Sequence, residues 1–294
     1  MRTNSESNRE AILSLEEIRA FHPAFRPHFL DSLDQNLQFG SINVFVNETC
    51  KLVVAAPHGF KKDDRNTENL AHALACELKA NAVINDNKYR KPKRPDDPEA
   101  QALSVSDPVT PSSDDLAMRQ EFLRKTSAIP VDLNKWPDAK IAAPDFYHPL
   151  AAISRTLCRN STPLVIFIHG MADQSLGGER NPDFVVAAGY EYLRKEAAFR
   201  MGLTTAGKLV VDRMVSGLRG LENNGRQVWV EEGLPGYAAA RPIRMPWLFK
   251  MLAGMTGEAL SVHAIQLEIR HKGFREIENI PATARKLGAI FRNL

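Results

Sequence analysis

The apolar positions of the 294-residue chain fall into two kinds of run. Short, mostly β-branched blocks at residues 42–46, 52–56, 82–84, 164–168, 227–230 and 264–269 are bounded by polar or turn residues, the pattern of buried strands. Between them, apolar residues recur every three or four positions. Asn66 can cap a helix carrying Leu70, Leu74 and Leu78, and Leu150, Ile153 and Leu157 mark a second. Val211, Met214, Val215 and Leu218 mark a third, and Pro281 suits the first turn of a last helix with Leu287, Ile290, Phe291 and Leu294. Strands alternating with helices predict an α/β fold, a three-layer sandwich around a mixed, largely parallel central sheet.

Residues 91–115 break that alternation. Five of the chain's 18 prolines (Pro92, Pro95, Pro98, Pro108 and Pro111) lie there, amid Asp, Ser and Glu. The blocks on either side read as parts of one sheet, so the segment is expected to be a Pro-rich surface insertion in one α/β domain spanning residues 1–294.

Composition adds exclusions. At this length a single core needs no disulfide or metal staple. The formal charge, 38 − 35 = +3, comes with no basic block beyond Lys91-Pro92-Lys93-Arg94, so no nucleic-acid partner is expected. No apolar run approaches the roughly 18 to 20 residues that span a bilayer, and residues 1–10 are polar, so the expectation is a cytoplasmic protein without membrane contact. Cys50, Cys76 and Cys158 are far apart and lack C-x-x-C spacing, which argues against a disulfide framework and a cysteine-held metal.

Two common motifs fail on inspection. Residues 202–208 fit G-x-x-x-x-G-K, but Leu209 replaces the hydroxyl residue that would hold magnesium, and the preceding residues look helical. No serine has the flanking glycines of a nucleophile elbow, and H-E-x-x-H is absent.

What remains is polar chemistry at strand ends. The block 52–56 stops at Pro57-His58-Gly59, and 164–168 stops at His169-Gly170. If the two strands are parallel neighbours, both imidazoles face one crevice beyond their carboxyl ends, where open α/β sheets bind ligands. The glycine after each histidine permits a tight turn and close approach of a ligand. In Ala264-Ile265-Gln266-Leu267-Glu268-Ile269, a carboxylate interrupts an apolar strand. Either Gln266 and Glu268 form a polar outer face, or Glu268 sits in a site, since an isolated buried carboxylate costs several kcal/mol. A glutamate beside two histidines outlines a metal-activated hydrolase.

These residues carry a resemblance. Ala56-Pro57-His58-Gly59, Asp64-Arg65-Asn66-Thr67-Glu68-Asn69-Leu70-Ala71, Val131-Asp132-Leu133-Asn134-Lys135, Ile166-Phe167-Ile168-His169-Gly170-Met171 and Ile265-Gln266-Leu267-Glu268-Ile269 resemble, in order, motifs of the N-formylglutamate amidohydrolase family. With the phage-type poly-γ-glutamate hydrolases, that family is akin in fold to the zinc carboxypeptidases.

The resemblance implies one zinc ion per chain, with His58 and His169 as ligands and Asp64 between them; Asp63 and Glu68 are the alternatives, since Lys61 stands where carboxypeptidases have a glutamate. Glu268 is then the general base. Asn134 and Lys135 match an Asn-Arg pair that grips a substrate carboxylate, with Arg90, Arg180 or Arg270 as further candidates because lysine lacks the bidentate fork. His263 and His271 are read as structural or peripheral. The implied activity is hydrolysis of an amide bond in a small acidic substrate. The alternatives are a metallocarboxypeptidase or γ-glutamyl hydrolase with the same site, or a ligand-binding protein without catalysis. The oligomeric state stays open.

Overall fold

Successive side chains alternate across a strand, so Val53 and Ala55 face one side of β2 (Leu52–Ala56) while Val54 and Ala56 face the other. All four are fully buried, which demands cover on both faces and a central place in a sheet. The computed structural model describes residues 41–58, 64–86, 88–90, 128–133, 143–174, 178–188, 204–232, 246, 249 and 261–294. The insertion expected at 91–115 lies outside them.

Strands β1 (Ser41–Phe45), β2, β3 (Asn81–Asp86), β6 (Leu164–Met171), β7 (Phe184–Ala187), β10 (Val230–Glu232) and β11 (His263–Arg270) form one mixed sheet in the order β1-β3-β2-β6-β11-β7-β10. The run β3-β2-β6-β11 is parallel, and β1 and β7 pair antiparallel to it. Two short parallel strands, β4 (Tyr89–Arg90) and β5 (Ile129–Pro130), pair separately.

Helices α1 (Thr67–Leu78), α3 (Lys208–Arg219) and α4 (Ile280–Phe291) cover one face, where Leu70, Leu74, Val211, Met214, Leu218, Leu287 and Phe291 pack on Val54, Ile166, Ile168, Ile265 and Leu267. On the other face, α2 (His148–Cys158) lays Leu150, Ile153 and Leu157 against Val53, Ala55, Val165, Phe167 and Ala264. The expected α/β sandwich is present, with Pro281 in the first turn of α4.

Two local expectations are corrected. Residues 227–230 are not one strand. Asn224 (φ 52°) and Gly225 (φ 71°) form the two-residue turn of a hairpin between β8 (Glu222–Asn223) and β9 (Arg226–Gln227), and β10 starts only at Val230. Asn66 stands at the N-terminus of α1 but does not cap it through its side chain. Its backbone is left-handed (φ 66°), and its amide donates to the Arg275 carbonyl at 2.8 Å. Among the described residues, no helix is long and apolar enough to cross a membrane.

Candidate functional site

Because β2 and β6 are parallel with Ala55 opposite Phe167, their carboxyl ends lie side by side. That brings His58 and His169 together. Their ring centroids are 5.5 Å apart with planes at 74°, and each residue is only 3% exposed. The segment entering His58 is tied down by Asn85 of β3, whose amide donates to the Pro57 carbonyl at 2.6 Å.

Each imidazole has a carboxylate beside one ring nitrogen. Asp64 Oδ2 lies 3.2 Å from His169 Nδ1 and accepts the Gly170 N–H at 3.1 Å. Asp132 Oδ1 lies 4.0 Å from His58 Nε2. With Asp64 on its Nδ1 side, His169 keeps a buried Nε2 that has no hydrogen-bond partner among the described residues.

Glu268 stands opposite His169 in the β6–β11 register. Gln266 donates to Glu268 Oε1 at 2.8 Å. Both are buried, Gln266 at 5% and Glu268 at 8% exposure, so the polar side of β11 is a covered face and the outer-face reading is overturned. Alternation places Glu268 on the face of Ala264, which packs against α2.

The two site carboxylates are driven in opposite directions. Burial raises the Glu268 pKa and the nearby Asp64 charge adds to that, with His169, the Gln266 hydrogen bond and Arg275 only partly opposing. For Asp64, burial also acts upward, but the hydrogen bond and charge of His169, the charge of His58 and the Gly170 N–H outweigh it and hold the carboxyl well below its usual range. Divergent carboxylates are the setting in which one serves as proton carrier and the other stays ionised.

Asp64 reaches His169 from a strained loop. Its φ of 52° and that of Asn66 (66°) are left-handed, at a cost of roughly 1 kcal/mol or more for a non-glycine residue. Thr67 holds the loop in place, its single hydroxyl proton shared between the carbonyls of His58 (2.6 Å) and Asp64 (2.8 Å).

The other predicted residues divide. Asn134, Lys135 and Asp63 lie outside the described residues. Arg90 ends β4, and its carbonyl accepts the Val131 N–H next to Asp132. Arg180 and Arg270 converge on Asp183: Arg180 Nη2 lies 2.8 and 3.0 Å from its two oxygens, and Arg270 donates to Oδ1 through Nε (2.9 Å) and Nη2 (2.6 Å). Glu68 accepts from the Asn69 amide, and burial, with Asp86 adding, pushes its pKa up to about 7. His263 accepts the Gly207 N–H at 3.1 Å at the opposite end of β11 from Glu268.

Sequence reasoning missed Arg275, which is 2% exposed and lies under the site. It also misread Gly170. A Cβ there would sit 2.5 Å from the Arg275 guanidinium carbon, so the close approach that this glycine allows is to an arginine of the same chain.

Among the described residues, no three His, Cys, Asp or Glu side chains close into a ready metal site. The donor types nevertheless suit zinc. Two ligands on a tetrahedral zinc place their donor atoms about 3.3 Å apart and two imidazole centres about 5 Å apart, given Zn–N and Zn–O bonds of about 2.0–2.1 Å. The separations of 3.2 Å for Asp64 and His169 and 5.5 Å for the two rings are of that size.

Fold and site together define an α/β protein with a buried histidine–carboxylate cluster at the carboxyl edge of its parallel strands. No family model matches the chain, and no curated protein matches its sequence. Solved structures similar to it include a gene product of Agrobacterium tumefaciens, 14% identical with a TM-score of 0.48, covering 86% of this chain and 94% of that one. An N-formylglutamate amidohydrolase from Ralstonia eutropha JMP134 is 15% identical with a TM-score of 0.41 (86% and 96% covered). A bacteriophage poly-γ-glutamate hydrolase is 13% identical with a TM-score of 0.40 (90% and 95% covered).

Proposed function

We propose that the chain is a metal-dependent hydrolase that cleaves an amide C–N bond in a small acidic substrate, the activity implied by its motifs. The observation that carries the reading is the placement of Glu268, buried and with its pKa raised, opposite His169, whose ring lies against that of His58. His58, His169 and Asp64 are the residues that would hold zinc, which when bound would polarise the amide carbonyl and acidify a water molecule. Glu268 takes the proton of the attacking water and returns it to the leaving amine, a task for which a carboxylate of raised pKa is suited. Asp132 lies 4.0 Å from His58 Nε2, and the burial of His58, His169, Asp132 and Glu268 limits bulk water.

The substrate carboxylate is assigned to Asn134 and Lys135, with Arg90 and Arg180 as further candidates. Arg180 can contribute only by sharing its guanidinium with Asp183. A ligand-binding protein without turnover is the second reading, favoured by the lack of a closed ligand trio among the described residues. Assays with N-formylglutamate, γ-glutamyl peptides and C-terminal peptide substrates test the proposal. Hydrolysis of the first supports it, cleavage of one of the others moves the chain to the related activity, and no turnover by zinc-loaded protein favours the binding protein.

A further inference from the structure

Arg275 ties together the three segments that carry the site. Its Nε donates to the Ile269 carbonyl at 2.9 Å and its Nη2 to the Met171 carbonyl at 3.0 Å, while Nη1 donates to the Arg65 carbonyl. Ile269 follows Glu268, Met171 is two residues past His169, and Arg65 follows Asp64. The Arg275 carbonyl in turn accepts the Asn66 amide at 2.8 Å, a second tie to the loop that bears Asp64. The guanidinium is also pressed against Gly170, whose N–H holds Asp64 Oδ2.

We propose that Arg275 is the positioning residue of this site, setting the spacing of Asp64, His169 and Glu268 by clamping the backbone beside each. The chemistry favours arginine for this work. A planar guanidinium offers N–H groups in fixed directions and can bind three carbonyls at once, whereas lysine presents a single ammonium point. The ties bridge strands β6 and β11 and the strained turn before α1, so without them the left-handed Asp64 conformation has less to hold it. The inference rests on the proposed site but needs no turnover for its test.

The experiment uses the full chain as purified, with 15N-labelled histidine, and follows the His169 ring resonances, assigned by their loss in His169→Gln. In Arg275→Lys and Arg275→Met, these resonances should move toward those of Asp64→Asn, which removes the carboxylate directly, and added guanidinium ion should bring those of Arg275→Met part of the way back. Folded variants whose His169 resonances match the wild type would overturn the inference. If Arg275→Met does not fold, Arg275→Lys decides by the same criterion. Should the wild type hydrolyse a substrate, the same variants are expected to lose about 100-fold in kcat with little change in KM. A wild type without turnover would defeat the hydrolase reading and leave the resonance result standing.

Discussion

Glu268 and His169 occupy directly paired positions on neighbouring parallel strands, with both side chains buried. Adjacent strands run about 4.8 Å apart, so the carboxylate and the imidazole are held side by side by backbone pairing. The relationship comes from register. A one-residue slip of β11 would carry Glu268 to the opposite face and put Ile269 or Leu267 in its place.

Glu268→Gln keeps the shape and the Gln266 contact while removing the proton carrier. Hydrolysis should fall by about 10²- to 10⁴-fold. Because the raised pKa means that the metal-free folded state disfavours the charged form, the metal-free variant should also melt higher than the metal-free wild type at neutral pH. Steady-state kinetics and thermal melts at pH 7 check both.

Gly170→Ala places a methyl group 2.5 Å from a guanidinium that is tied to three carbonyls and cannot swing away. Destabilisation of about 1–3 kcal/mol is expected, read from urea unfolding. An unchanged midpoint would show that Arg275 moves freely.

Asp183 receives Arg270, Arg180 and the Trp229 N–H on one buried carboxylate. Removing one partner of a buried pair leaves the other charge uncompensated, so Asp183→Ala should cost about 3–5 kcal/mol in the same measurement. Arg180→Ala, at the exposed end of the network, should cost about 1 kcal/mol or less.

His72 of α1 is buried edge-on to Phe45, with no hydrogen-bond partner for either ring nitrogen among the described residues. Burial lowers its pKa from 6.5 to about 4. The unfolded chain therefore binds this proton first, and stability is lost as pH falls from 6.5 toward 4. Glu68, one turn earlier, acts oppositely: its pKa is raised from 4.5 to about 7, so stability declines as pH rises across that interval. His72→Leu should flatten the acid side of the stability profile, by up to about 3 kcal/mol at pH 4. Glu68→Gln should flatten the other side. Urea unfolding across pH 4 to 8 separates the two.

Much of the fold was legible because it rests on local patterning. The residues of β2 stand out as an unbroken apolar run, and the stripes of α1 to α4 repeat at helical spacing. The block 227–230 failed because Asn224-Gly225, a strong turn signal, was passed over. In the site, His58 and His169 were visible as polar residues ending apolar blocks, whereas Asp64 was reached only through motif resemblance. Arg275 was invisible for a physical reason. Its side-chain partners are backbone carbonyls, which any residue supplies, and two of them lie 210 and 104 positions away in the chain.

Metal content tests the central claim most directly. Protein purified without chelator and analysed for bound metals should carry about one zinc ion per chain, retained in Glu268→Gln and lost in His58→Ala and His169→Ala, with all variants folded by circular dichroism. Folded wild-type protein that takes up no zinc, or that binds it equally well without either histidine, would contradict the account.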